Sequence, residues 1–378
     1  MKKICYVVTV SVSIKAFFIP QLKFLADNGY DVTVICSSDN KLQELLGEKI
    51  KYIPVDIPRG LSFLGSVKTI RTLKKVFKRE KFDMVQYSTP NAAFYSSIAS
   101  KKAKVKIRNY HLMGLRYLGA KGIFRKILKK IEKIAIKNST SVECVSSSNL
   151  DLCVKEKLLI PEKATVVYNG STGGIDLSRF NAKYSKIYRE EKRNAYKISD
   201  TEFLFGFVGR ITKDKGIEEL FSAFNKLSSE FEHVKLVMVG DIEKNNNLSE
   251  KTLEELKSNK KIISISATPE IEKYYPMLDA LVLPSYREGF GNVVIEAEAM
   301  GVPVLVSDIP GPIDAMQDGV TGLKFKVKDV NDLYDTMKKA LDFKSSSWGE
   351  NAIKFARDEF DSNKLNQKIL ERKNKILG

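Results

Sequence analysis

The chain has 378 residues, 43% of them hydrophobic, which is more than one domain usually holds and ample for two cores. Its formal net charge is +17, and the excess is one-sided: residues 1–170 carry 31 Lys and Arg against 13 Asp and Glu, whereas residues 171–378 carry 32 against 33. Cys5, Cys36, Cys144 and Cys153 form no CxxC pair and no metal-ligand spacing, which argues against a metal module and for buried thiols in a reducing cytoplasm.

Lys2 and Lys3 followed by the largely apolar run 4–10 imitate a signal peptide. Lys15 interrupts the run and no small-residue cleavage site follows, so that reading fails. The pattern instead continues as a loop at 9–15, a helix marked by Phe18, Leu22 and Leu25, a turn at Asn28 and Gly29, and a strand at 32–36. That is the first unit of a doubly wound sheet. Nowhere does an apolar run reach the roughly 18 residues of a membrane span.

Two segments concentrate the positive charge. Within 66–81, Val67, Ile70, Leu73 and Phe77 make an apolar stripe beside Lys68, Arg71, Lys74, Lys75, Lys78 and Arg79. Within 122–138, Phe124, Ile127, Leu128, Ile131, Ile134 and Ala135 recur at helical spacing among six cations. Both predict amphipathic helices with a cationic outer face. Solvated surface helices and attraction to anionic lipid headgroups are the two readings; the one-sided excess favours lipid. Nucleic acid is disfavoured, because the aromatics do not interleave with the cations as a stacking platform requires. His111 follows a strand pattern at 105–107 and precedes Gly114; a satisfied structural histidine and a site role both stand for it.

Residues 166–168 read as the last strand of a first domain, and the Gly-rich stretch 169–174 as a hinge. A polar run to Lys197 leads to strand patterns at 203–208, 235–239, 262–265, 280–283 and 302–306. They alternate with helical patterns, which predicts a second parallel sheet. The ending, 353–377, is helical and charged.

Glu288 and Glu296 bracket EGFGNVVIE. The strand at 280–283 stops at Pro284, and a helix starts near Val293, so Glu288 falls on the connecting loop and Glu296 about one turn into the helix. Gly289, Phe290 and Gly291 place bare backbone N–H groups at a helix N-terminus, which attracts anions. An anion cradle flanked by two hydroxyl-binding carboxylates suits a nucleotide sugar, a diphosphate between hydroxyl-rich rings. FLFGFVGRITKDKG at 203–216 supplies a strand, Gly209, the cations Arg210 and Lys215, and a helix start: a phosphate clamp that is weak alone and specific beside the glutamate motif.

With GRITKDKG, LPSYREGFGNVVIEAEAMGVPVLVSD, DGVTGLKF and VVYNGSTGGIDLSRF, the chain resembles the retaining glycosyltransferases of family 4, in particular members that build capsular and surface polysaccharides. The resemblance covers nearly the whole chain. It implies the α/β GT-B fold, two Rossmann-like doubly wound domains facing a central cleft. Residues 1–172 would form an acceptor-binding, membrane-facing domain, 173–355 the nucleotide-sugar domain, and a last helix at about 356–378 would return to the first domain. It implies that Arg210 and Lys215 neutralise the donor diphosphate, that Glu288 holds the donor sugar, and that Glu296 takes the ribose hydroxyls. It further implies that Gly209 and the N–H groups of Phe290, Gly291 and Asn292 face the donor, and that His111 hydrogen-bonds to its sugar. Many members carry a Gly-Gly pair after the first strand; here Ser11, Val12, Ser13 and Ile14 stand there, and Ser13 is the donor-contact candidate.

The expected reaction is transfer of a hexose or N-acetylhexosamine from a UDP-sugar to a hydroxyl of a lipid-linked saccharide, with retention and without a metal or cofactor. The implied place is the inner face of the cell membrane, peripherally attached to its anionic surface, with no nucleic-acid partner. Two rivals remain open: a nucleotide-sugar epimerase of the same architecture, and a non-catalytic basic protein that binds membrane or nucleic acid.

Overall fold

Ile4, Tyr6 and Val8 alternate with Cys5 and Val7 along the first strand, and all five are buried. The first set joins one apolar core and the second set another. A strand buried on both faces belongs to a parallel sheet covered by helices on each side. The computed structural model describes residues 1–58, 60, 63–345 and 347–378 and contains two such sheets, each in its own unit.

The first unit runs β1 (Lys2–Val7), α1 (Ser11–Phe17), α2 (Ile19–Asp27), β2 (Tyr30–Cys36), α3 (Leu42–Leu46), β3 (Ile50–Pro54), α4 (Phe63–Glu80), β4 (Met84–Ser88), α5 (Pro90–Lys102), β5 (Ile107–Leu112), α6 (Gly122–Asn138), β6 (Ser141–Cys144), α7 (Ser147–Lys155) and β7 (Ala164–Val166). Its seven strands are parallel in the order β3-β2-β1-β4-β5-β6-β7. Leu73 and Phe77 of α4, Tyr95 of α5 and Leu128 and Ala135 of α6 fill the core on one face. Ile14 of α1, Leu22 and Leu25 of α2, and Leu42 of α3 fill the other. The four cysteines are free and buried.

The segment expected as a loop at 9–15 is helical from Ser11 onward, with Val10 as its N-cap. No glycine interrupts it, so nothing resists helix formation there; Ser13 is a half-buried residue of α1 rather than part of a backbone cradle. On α6, Leu128 and Ala135 are buried as expected, but Phe124 and Ile127 lie outside the core. The Gly-rich stretch is not a loose tether: Ser171 and Thr172 are buried, the Ser171 N–H donates to the Val145 carbonyl at 2.7 Å, and Gln21 Nε2 donates to the Thr172 carbonyl at 3.4 Å.

The second unit, Ile175–Ser362, runs α8 (Ser185–Ala195), β8 (Phe203–Val208), α9 (Ile217–Glu230), β9 (Val234–Val239), α10 (Glu250–Ser258), β10 (Ile262–Ile265), β11 (Ala280–Leu283), α11 (Asn292–Ala299), β12 (Val304–Ser307), β13 (Gly322–Phe325), α12 (Val330–Ala340) and α13 (Trp348–Phe360). Its six parallel strands are ordered β10-β9-β8-β11-β12-β13. The polar run before β8 is mostly α8, tied down by a buried ion cluster. Asp279 accepts from Arg193 and Arg189, both at 2.7 Å, and from the Leu204 N–H at 2.7 Å.

The final helix, α14 (Ser362–Leu377), returns to the first unit from Asn363. Residues 356–360, expected in that returning segment, end α13 of the second unit instead. Leu370 and Leu377 complete the core under α1 and α2, Asn374 accepts from the Tyr30 hydroxyl at 2.6 Å, and Arg372 pairs with Glu143 at 2.8 Å. Among the described residues no helix is long and apolar enough to cross a membrane.

Candidate functional site

The strand order of the second unit reverses between β8 and β11. Strands β9 and β10 follow β8 to one side; β12 and β13 follow β11 to the other. The loops leaving β8 and β11 therefore diverge, and a crevice opens at the carboxyl ends of the strands, where doubly wound sheets bind ligands. Both chemistry-bearing motifs lie on those two loops.

Several contacts stitch the loops together. Lys215 Nζ donates to Glu288 Oε1, which also accepts from Ser285 Oγ at 2.8 Å. Asp214 accepts from Arg287 at 2.9 Å, and its carbonyl accepts the Tyr286 N–H at 2.9 Å. Burial alone would raise the Asp214 carboxyl; Thr212, Arg287, Arg210 and Lys215 outweigh it and hold it low. The Tyr286 hydroxyl donates to Glu219 of α9 at 2.7 Å. Gly216, at φ +72°, caps α9, and a Cβ there would stand 2.1 Å from the Pro284 carbonyl oxygen. Only glycine allows that conformation and that approach together.

A cavity of about 490 Å³ opens beside these loops, at the ends of β8, β9 and β10. This is the size of a small-ligand site. Gly209, Arg210, Gly240, Asp241, Ala267, Thr268 and Ile271 are among its lining residues, and Glu296 reaches it from α11. A Cβ at Gly240 would lie 1.9 Å from the Gly209 carbonyl oxygen, so the cavity floor is closely packed backbone. Arg210 pairs with Glu243, another lining residue, at 3.0 Å, and both are exposed. Glu296 Oε2 accepts from the Tyr275 hydroxyl at 2.7 Å. Burial raises the Glu296 carboxyl, and the Tyr275 hydrogen bond only partly opposes this.

The predicted residues of the second unit thus fall into three groups. Gly209, Arg210 and Glu296 share the cavity. Lys215 and Glu288 pair with each other where the two loops meet. Phe290, Gly291 and Asn292 form the start of α11: Gly291 is its N-cap with no side-chain cap, Asn292 its first residue, and the Phe290 ring packs on Phe360 at 5.3 Å between centroids. Sequence reasoning missed Tyr275, Asp241, Asp214 and Arg287. The last two stand inside the quoted motifs; Tyr275 lies in a short turn with no periodic pattern.

His111 and Ser13 belong to the first unit. His111 lies within the buried stretch of β5, edge-on to Phe18 at 5.7 Å between centroids, and neither ring nitrogen has a hydrogen-bond partner among the described residues. Its Nδ1 lies 3.9 Å from Glu143 Oε2, too far for a direct hydrogen bond. Burial alone would raise the Glu143 carboxyl; the cations Lys373 and Arg372 of α14 outweigh it and hold it far below its ordinary range. Gln21, Gln86, Glu143 and Ser171 surround a small cavity beside His111.

Comparison with known proteins agrees with this geometry. The Glycosyl transferases group 1 family matches residues 188–355, and Glycosyl transferase 4-like matches residues 3–146. The capsular polysaccharide biosynthesis glycosyltransferase CapM of Staphylococcus aureus is 32% identical over 363 residues, covering 96% of this chain and 94% of that protein. An Escherichia coli protein, UDP-Gal:alpha-D-GlcNAc-diphosphoundecaprenol alpha-1,3-galactosyltransferase, is 25% identical over 86% of this chain and 83% of its own. A solved glycosyltransferase from Rickettsia africae superposes with a TM-score of 0.80 at 21% identity, covering 100% of this chain and 98% of that one, which supports the shared fold. Two parallel Rossmann-like sheets, the motif loops at the switch point of the second, and similarity along the whole chain place this protein among the group 1, family 4 glycosyltransferases of GT-B fold.

Proposed function

We propose that the protein transfers a sugar from a UDP-sugar to a hydroxyl of a lipid-linked saccharide, with retention at the anomeric carbon, during capsular or surface polysaccharide synthesis. The observation that carries this reading is the Lys215–Glu288 pair at the β8/β11 switch point, beside a cavity that holds Arg210 and Glu296. A donor diphosphate lies against Gly209, Arg210, Lys215 and the N-terminus of α11. Glu296 accepts hydrogen bonds from the ribose hydroxyls in the cavity, and Glu288 from the donor sugar. His111 of the first unit donates a hydrogen bond to a sugar hydroxyl, and Ser13 contributes its hydroxyl from α1.

The bond between the anomeric carbon and the β-phosphate oxygen breaks, and charge grows on that oxygen. Arg210, Lys215 and the helix N-terminus stabilise it, commonly the largest catalytic contribution. The acceptor oxygen attacks the same face and its proton passes to the leaving phosphate, which leaves the anomer unchanged. Two fixed cations at the diphosphate make the reading metal-independent. Acceptor recognition is assigned to the first unit, held at an anionic membrane surface on the cytoplasmic side. The undecaprenol-linked acceptor and UDP-linked donor named for the Escherichia coli relative support the choice of acceptor and donor class. An N-acetylhexosamine or a hexose is the proposed transferred sugar.

Thermal stabilisation by UDP, GDP and ADP at equal concentration tests the donor assignment. A ligand at a hundred times its dissociation constant adds about 2.7 kcal/mol of stability. A response to UDP alone is expected. A response to GDP or ADP would overturn the choice of base, and no response to any of the three would overturn the donor site.

A further inference from the structure

Helix α6 carries an unusual exposed edge. Ile123 is 72% exposed, Phe124 48% and Ile127 42%. Ile123 and Ile127 are one turn apart on the same flank, with Phe124 beside them. Next to that flank, Lys126, Lys130, Lys133 and Lys137 recur at helical spacing, all exposed and none with an ion pair among the described residues. Helix α4, in the same helical layer over the sheet, presents exposed Lys68, Arg71, Lys75 and Lys78, likewise without an ion pair among the described residues. Leu128, Ala135 and Ile136 already anchor α6 to its core, so the exposed apolar edge is not needed for folding.

The geometry points to α6 as a shallow bilayer anchor: Ile123, Phe124 and Ile127 insert among the acyl chains of an anionic membrane while the lysine face of α6, aided by α4, lies on the headgroups. The inference rests on the membrane attachment proposed above and says which side chains enter the lipid. An anionic bilayer offers what this face requires, negative charge at its surface and an apolar layer directly beneath. Nucleic acid offers the charge but no apolar layer, and two of the three exposed apolar groups are aliphatic and cannot stack on bases.

The 378-residue chain is sedimented with vesicles of phosphatidylcholine alone and of phosphatidylcholine mixed with phosphatidylglycerol. Binding to the anionic vesicles only is expected. Substituting Ile123, Phe124 and Ile127 together by serine should weaken that binding at least about tenfold, with the melting temperature near that of the wild type. Changing Lys126, Lys130, Lys133 and Lys137 to glutamine should remove about fivefold per charge and most of the salt dependence. As an independent readout, Phe124→Trp emission should shift to shorter wavelength on anionic vesicles. Unchanged binding by the triple-serine variant, or no emission shift, would overturn the insertion while leaving electrostatic attachment intact. Absence of wild-type binding to either vesicle would overturn the attachment as well, and equal competition by duplex DNA would assign the face to nucleic acid instead.

Discussion

Replacing Lys215 by methionine removes a cation that pairs with Glu288, the two side chains being 16% and 15% exposed. In the proposed donor pose, Lys215 turns from this carboxylate to a phosphate. What is lost in the variant is one charge-assisted hydrogen bond to the ligand, about 1.5–3 kcal/mol. That corresponds to a UDP dissociation constant weaker by about 10- to 150-fold. Turnover should fall further, by about 10²–10³, because the proposed mechanism has the same cation meet the charge that grows on the leaving group. Glu288→Gln separates binding from chemistry. It frees Lys215 from its competing partner, so UDP should bind as tightly as to the wild type or more so, whereas transfer falls. Isothermal titration with UDP at fixed ionic strength, with melting temperatures as a folding control, measures both variants. Equal weakening of UDP by Glu288→Gln and Lys215→Met, or unchanged affinity in Lys215→Met, would refute the reasoning.

Glu132, buried on α6 and accepting from the Tyr110 hydroxyl at 2.6 Å, has its carboxyl pushed up to about 7 by burial. Its folded value exceeds the unfolded one, so its contribution is fully present below about pH 4.5 and lost as pH rises through about 7, roughly 3 kcal/mol in all. Glu132→Gln should flatten the fall in urea-unfolding stability over that window; an unchanged slope would contradict the assignment. Gly216→Ala should cost at least about 1–2 kcal/mol in the left-handed conformation alone, and the clash with Pro284 should part the loops and abolish the UDP-induced melting shift. A full UDP response in that variant would count against the close approach. Arg193→Ala leaves Asp279 in a buried site with one cation fewer and should lower stability by about 3–5 kcal/mol, read as a lower denaturation midpoint with an unchanged slope; a loss below about 1 kcal/mol would assign the cluster little structural weight.

The site was legible where chemistry coincides with local pattern. Strand, glycine, cation and helix start follow one another around Gly209, Arg210 and Lys215, and the Glu288 loop lies between an unbroken apolar strand and a helix. The pairing of Lys215 with Glu288, 73 residues apart, depends on which strands are neighbours, and no local pattern encodes that. Tyr275 is likewise not marked by local pattern, because its partner Glu296 comes from another element. The stretch 9–15, expected as a loop, contains no glycine to break a helix and is helical from Ser11 onward. On α6, periodicity identified the helix but could not separate Leu128, which faces the core, from Phe124 and Ile127, which do not. Three adjacent rows of one helix are all apolar, and only the packed neighbours decide which row is covered.

The central claim is tested most directly by the product. The protein is incubated with UDP-hexoses and UDP-N-acetylhexosamines and an undecaprenyl-diphosphate-linked saccharide; the lipid fraction is weighed by mass spectrometry and the new linkage read by proton NMR. One added sugar, released UDP in equal amount, and the anomeric configuration of the donor are expected. An inverted linkage, or a donor epimerised without acceptor, would contradict that claim.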